Sequence, residues 1–212
     1  MVPPTLHSPQ PVMSPIEALL ILVGAGEAAD PYLKDHGIRT ASYAVPLGHA
    51  AGLSPEELND LCLASLLHDI GRLTLPKSLL EKDEPLSEEE YALVQSHPRA
   101  GAELLAPIAA LRRPALWIAH HHERWDGFGY PYGLHGELIP LGARILAVAD
   151  TFDSLTSAQP YRQALDRESA AGLLRELAGS QLDPYLTSQF LGLGVEVAEN
   201  PATLCLAGWE KF

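Results

Sequence analysis

The chain has 212 residues and carries 14 basic against 27 acidic side chains, a formal net charge of −13. That acidity excludes electrostatic wrapping of a nucleic acid polymer or an anionic membrane, both of which need basic surface. Hydrophobic residues make up 47% of the sequence, enough for a sizeable core at a length that suits one domain with a small extension.

Residues 1–13 are rich in proline and polar groups and are expected to be extended or disordered. Ser14-Pro15 opens an N-terminal helix within residues 14–31, with serine as N-cap and proline in the first turn. This apolar run is too short for a membrane span and carries Glu17 and Glu27. No basic region precedes it, as a signal peptide would require, so a cytoplasmic location is expected. A second helix is predicted from about Pro31 towards Ala51, weakened by Gly37 and kinked by Pro46. The third starts at a capping box, Ser54-Pro55-Glu56-Glu57. Leu58, Leu61, Ser65 and His68 follow on one face, and Gly71 is a natural stop. Cys62 and Cys205 form no spaced motif and are expected as buried thiols in a reducing compartment.

A second capping box, Ser87 to Glu90, begins a helix predicted to run to His97. Pro98 breaks it and opens another, Arg99 to about Ala106. Pro114 starts a helix predicted over Ala115 to about Glu123. Arg124 to Pro140 is then a glycine- and aromatic-rich loop, too long to be idle in a compact domain. Within it, Trp125 is suited equally to stacking on a base and to packing the loop.

The helix predicted over Leu141 to Ser157 has two faces. Ile145, Val148, Phe152 and Leu155 form an apolar stripe, and Ala143, Ala147, Asp150 and Ser154 form a face of small residues around one carboxylate. Two further helices follow, one capped by Asp166 and one from about Pro184 to Leu193. Residues 194–212 have no clear period, no strand is evident, and the pattern is that of an all-α bundle.

LLHDIGR, Leu66 to Arg72, is the centre of this arrangement. Its His68-Asp69 pair offers a nitrogen and a carboxylate from one helix end, and the carboxylate has two oxygens with which to bridge cations. Such a pair alone is common and proves little. His36, His97, His121, His122 and Asp150 add candidate ligands on four other segments, each helical or at a helix end. Helical bundles build metal centres in their cores from such residues. Five imidazoles and two carboxylates without a thiolate exceed one tetrahedral zinc. Shared between two ions with Asp69 as bridge, this nitrogen and oxygen set favours iron or manganese, with nickel and cobalt as alternatives. Two such ions make a bridging hydroxide at neutral pH and clamp both oxygens of a phosphoryl transfer. His120 precedes the double histidine and by register is not a ligand.

HDIGR, HHERWDGFGYP, ARILAVADTFD and QPYR, in that order, resemble the HD-GYP subgroup of the HD-domain metal-dependent phosphohydrolases, over roughly residues 32–193. The resemblance implies an all-α HD-domain bundle with the metal centre in its core and the seven residues above as ligands. It also implies hydrolysis of cyclic di-GMP to pGpG, and on to GMP in some members. On this reading Asp69 and Arg72 are catalytic, and Arg72, Asp153, Arg162 and Tyr130 bind substrate. Gly129-Tyr130-Pro131 is the GYP element, implied to contact a protein partner, and a homodimer is among the expected associations.

Three departures shape the expectation. Arg72 stands where the family often has lysine, and arginine can grip phosphate but not give up a proton. Tyr32 stands where members with a third metal carry glutamate, which implies two ions and pGpG as the main product. Gln159 replaces a substrate-holding arginine, which opens alternatives: another nucleotide as substrate, or a catalytically weak module that binds cyclic di-GMP or recruits partners. A di-iron centre that activates oxygen is a further reading available to the wider superfamily.

Overall fold

The structure is a computed structural model that describes Ala18, Ile21, Val23, Gly24 and residues 35–80, 82, 84–158 and 163–194. The predicted disordered start, most of the N-terminal helix, Tyr32, Gln159, Arg162 and the tail beyond Gly194 lie outside the described residues.

Nine α-helices are described: α1 His36–Ala50, α2 Pro55–Leu67, α3 Lys77–Leu80, α4 Glu88–Val94, α5 His97–Leu105, α6 Arg112–Ala119, α7 Leu141–Thr156, α8 Arg167–Leu177 and α9 Pro184–Gly192. Among the described residues the only β pairing is an isolated bridge, Ala178 with Leu182. The fold is all-α, as expected, and no described helix is long and apolar enough to cross a membrane.

Local chemistry sets the helix starts. Ser54 and Ser87 each accept from the third backbone amide of their helix, and Glu57 and Glu90 reach back to the serine amides, completing both capping boxes. Asp166 caps α8 and Asp183 caps α9. Asp35 precedes α1 in the left-handed region at φ 59, so the described helix starts at His36 rather than near Pro31. Gly37 therefore falls in the first turn, where its flexibility costs little, and the helix spans Pro46 without interruption.

α7 is the central element. Its buried stripe, Ile145, Val148, Phe152 and Leu155, faces α1, α6, α8 and α9. Tyr43, Phe152 and Phe190 meet edge to face, with Tyr43 and Phe190 both near 5 Å from Phe152 (5.0 and 5.1 Å) or, between themselves, 6.2 Å apart. Leu47, Leu61, Leu67, Leu105, Ile118 and Leu146 are fully buried and join the layers into one core. Cys62 is buried but disulfide-bonded rather than a thiol, which corrects the expectation for it; Cys205 lies outside the described residues.

Candidate metal centre

Three helices end in the same way. The last carbonyls of a helix have no partner inside it, and a side chain can supply one. His68 Nδ1 lies 2.8 Å from the Ser65 carbonyl at the end of α2. His97 Nδ1 lies 2.8 Å from the Val94 carbonyl at the end of α4. His121 Nδ1 lies 2.7 Å from the Ile118 carbonyl at the end of α6. A carbonyl only accepts, so each Nδ1 carries the proton and donates it. In the neutral ring Nε2 is then the lone-pair nitrogen, the one free to bind a metal.

The same device explains two boundaries. α4 stops at Val94 rather than His97, and α6 stops at Ala119 rather than Glu123. His120 leaves the helical region at φ −118 and ψ 7, which turns His121 and His122 into the bundle instead of along the helix. His120 itself is half-buried and lies 4.9 Å from the ring of Tyr132, outside the ligand groups.

His36, in the first turn of α1, is oriented by side chains. Its Nδ1 donates to Asp153 Oδ2 at 2.7 Å, and Arg39 Nε and an Nη donate to the two oxygens of the same carboxylate at 2.7 and 3.0 Å. Its Nε2 then faces His68 Nε2 at 3.1 Å and Asp150 Oδ1 at 3.2 Å.

Ligand-type atoms thus gather in two groups, His36 with His68 and Asp69, and His97 with His121 and His122. Within each group they lie within 4.8 Å of one another. Asp150 joins the first, with Oδ1 3.2 Å from His36 and 3.7 Å from His68. Asp69 belongs to the first and reaches the second, with Oδ1 3.3 Å from His97 Nε2. All seven expected ligands converge.

The donor set fits cations. His36 and His68 point two ring nitrogens at one another beside a carboxylate, an arrangement that needs a positive charge between them, which is a proton on His36 Nε2 here and would be a metal ion in its place. His97 Nε2 and His121 Nε2 are buried with no hydrogen-bond partner, a costly state for a polar atom that a metal would relieve. The proton balance agrees. Burial opposes charge on His36, but its bonds to Asp150 and Asp153 prevail and its pKa is pushed up to about 10. Burial pushes His122 down to about 4, and burial with neighbouring histidines holds His121 well below its ordinary range. Burial opposes ionisation of Asp69 and Asp150 as well. The Arg72 guanidinium nevertheless holds Asp69 low, and the hydrogen bond from His36 holds Asp150 low, so both are carboxylates.

Two glycines set the spacing. A Cβ on Gly71 would collide with the His97 carbonyl oxygen and lie 2.6 Å from Gly101 N. Only glycine therefore lets the turn after His68-Asp69 seat against the start of α5. A Cβ on Gly129 would fall 2.6 Å from Glu123 Cα and His122 O, so the GYP element lies directly on the double-histidine turn. Tyr130 N donates to His122 O at 3.2 Å, and the Tyr130 and His122 rings lie 4.9 Å apart.

A cavity of 620 Å3 opens beside the centre, lined in part by His121, His122, Tyr130, Asp150 and Ser154. Ala147, Asp150 and Ser154 of the small-residue face of α7 all border it. Arg72 donates to Asp69 Oδ2 at 3.1 Å with about a third of its side chain exposed (35%). Asp153, expected to hold substrate, is 1% exposed, and its carboxylate is occupied by His36 and Arg39. Arg162 lies outside the described residues.

Three residues of consequence carried no weight in the sequence. Arg39 follows His36 by three positions, one helical turn, which is the available signal for it. Glu123 is buried and accepts from Tyr132 N at 2.7 Å and Leu134 N at 3.0 Å, fixing the loop. Its only signal is an acid immediately after the histidine run. Phe128, the third, is 86% exposed.

The HD domain family profile matches residues 26–186, and the chain belongs to the HD-domain family. His68-Asp69 with Gly129-Tyr130-Pro131 places it in the HD-GYP subgroup. It is 42% identical over 161 residues to the cyclic di-GMP phosphodiesterase response regulator RpfG of Xanthomonas campestris, covering 72% of this chain and 43% of that protein. It is 34% identical over 165 residues to the 3'3'-cGAMP-specific phosphodiesterase 1 of Vibrio cholerae, covering 77% of this chain and 38% of that one. A solved structure of a cyclic GMP-AMP specific phosphodiesterase of V. cholerae shares the fold, with a TM-score of 0.66 at 24% identity over 84% of this chain and 48% of that chain. The chain spans less than half the length of these relatives.

Proposed function

We propose that the chain hydrolyses a cyclic dinucleotide, with cyclic di-GMP as substrate, linear pGpG as main product and GMP as a slower one. Two divalent ions, iron or manganese, would sit in the centre. The observation that carries the reading is the position of Asp69, in the first ligand group and 3.3 Å from His97 of the second. One carboxylate shared by two groups of histidines suits a pair of ions better than one. The relatives named as cyclic dinucleotide phosphodiesterases support the substrate class.

His36, His68, Asp69 and Asp150 would hold one ion, and Asp69, His97, His121 and His122 the other. Bound there, two ions would acidify a water to serve as nucleophile and neutralise charge on the phosphate. Each Nδ1 bond described above fixes its imidazole with Nε2 forward, so the site is arranged before substrate enters. Asp153 acts here as a positioning residue, holding His36 from behind.

Arg72 spends one donor on Asp69 Oδ2. Its planar fork of five donors can also orient a non-bridging phosphate oxygen. Burial raises the Tyr130 phenol above its ordinary pKa, so its hydroxyl keeps its proton and can donate to the phosphate or ribose. In the reaction a water oxygen bonds to phosphorus, the bond from phosphorus to the ribose 3′ oxygen breaks, and that oxygen leaves as a hydroxyl. A cavity of 620 Å3 lies within the ~300–1,000 Å3 of small-molecule sites. Tyr32, in place of a third metal's glutamate, favours stopping at pGpG.

A second reading, 3'3'-cGAMP as substrate, is favoured by the relatives that carry that name. Protein purified without oxygen and loaded with manganese or ferrous iron, then given both cyclic dinucleotides, separates the two. The account expects linear product from cyclic di-GMP. Faster cleavage of 3'3'-cGAMP would transfer the assignment to it, and cleavage of neither would remove the hydrolase reading.

A further inference from the structure

The loop between α6 and α7 is anchored at many points. Trp125 N donates to Gln181 O at 3.1 Å, Asp126 N to Ser180 O at 2.8 Å and Gly136 N to Trp125 O at 2.9 Å. Glu123 takes two further amides, and Asp126 Oδ1 accepts from Phe128 N at 3.1 Å. On this fastened loop Phe128 nevertheless stands 86% exposed. The exposure of a phenyl ring forgoes burial that the fold could otherwise use. Phe128 lines the same cavity as His122 and Asp150, and so does Tyr91 of α4, itself 53% exposed. Trp125, the other aromatic suited to stacking, does not border the cavity; its ring lies under Arg144 at 5.8 Å, so it packs the loop.

Two exposed aromatic rings from separate elements therefore border a cavity whose inner end is the metal centre. We propose that Phe128 and Tyr91 form a nucleobase subsite, in which a purine ring of the substrate stacks while its phosphate sits at the histidine cluster. This inference rests on the cyclic dinucleotide reading and sharpens it. The phosphate end supplies no base preference, and a stacking platform would accept any purine, with discrimination left to groups at the base edge.

The test is binding of a hydrolysis-resistant thiophosphate analogue of cyclic di-GMP, and separately of inorganic phosphate, to metal-loaded full-length protein, measured by calorimetry. Phe128→Ala should weaken analogue binding roughly 5- to 100-fold, Phe128→Trp should restore it, and both should bind inorganic phosphate as the parent does. Tyr91→Ala should behave like Phe128→Ala. Unchanged analogue affinity in both alanine variants would overturn the subsite, as would no analogue binding to the parent protein. An equal loss of phosphate binding in the variants would also overturn it, by showing a disturbed metal centre. Analogue binding that depends on Phe128 in a protein that cleaves no cyclic dinucleotide would uphold the subsite while removing the hydrolase reading.

Discussion

Asp153 Oδ2 accepts a hydrogen bond from His36 Nδ1 at 2.7 Å, and the same carboxylate is gripped by Arg39 from the next turn of α1. A carboxylate behind a ligand histidine fixes its tautomer and raises its basicity, and loss of such a partner typically costs 10- to 100-fold in metal affinity. Asp153→Ala should therefore release metal to a chelator at roughly 10- to 100-fold lower chelator concentration. Helical content should be kept. Parent-like retention of metal would show that Asp153 does not position His36.

His36 also fixes the pH dependence of metal uptake. In metal-free protein its pKa is raised from 6.5 to about 10, chiefly by Asp150 and Asp153 against the opposing effect of burial. A raised histidine pKa stabilises the fold fully below about pH 6.5, and that contribution is lost as pH rises through about 10. Metal must displace this proton, so affinity should climb with pH across that window. Calorimetry near pH 7.5 in buffers of differing ionisation enthalpy should register on the order of one proton released per chain. Uptake without proton release would contradict the His36 assignment.

Gly71→Ala tests the seating of the His68-Asp69 turn on α5. The added Cβ meets backbone on the α5 side, the His97 carbonyl and Gly101 N, and backbone cannot swing away as a side chain can. Overpacking of this kind costs about 1–3 kcal/mol or more, which should lower Tm by several degrees. Metal affinity should fall with it, because the shift separates Asp69 from His97. An undisturbed Tm would show that the turn has room that the structure does not indicate.

Glu123→Ala tests the loop. It removes the acceptor of two backbone amides, at roughly 1–3 kcal/mol, and frees the segment that carries Phe128 and Tyr130. KM for cyclic dinucleotide should rise while metal content stays at the parent level. A loss of metal with unchanged KM would assign Glu123 to the centre instead of the loop.

Much of this was legible in the sequence, for particular reasons. Ser54, Ser87 and Asp166 cap helices through their neighbours alone, so those starts were readable from a few letters. The two faces of α7 follow from its period, and Asp150 was found because small residues flank it. The convergence of the seven candidate ligands is expected from the sequence because each lies in a helix or at a helix end. α4 and α6 end earlier than the sequence predicts, because their ends are set by a histidine ring bonding back to a carbonyl, which no period announces. Asp153, a substrate contact by resemblance, is instead buried and bonded to His36 and Arg39, a pairing across the fold that the sequence does not display. Phe128 and Glu123 depend on the course of an irregular loop, and irregular backbone has no repeat to read.

The central claim is that Asp69 joins two histidine groups into one hydrolytic pair of cation sites. The most direct measurement is the linear dinucleotide formed from cyclic di-GMP by protein carrying two manganese or ferrous ions per chain, with Asp69→Ala alongside. The account predicts pGpG from the parent protein, and from the variant both loss of ions and loss of product. A parent protein that holds two ions and leaves cyclic dinucleotides intact, or an Asp69→Ala variant that keeps both ions and the activity, would contradict it.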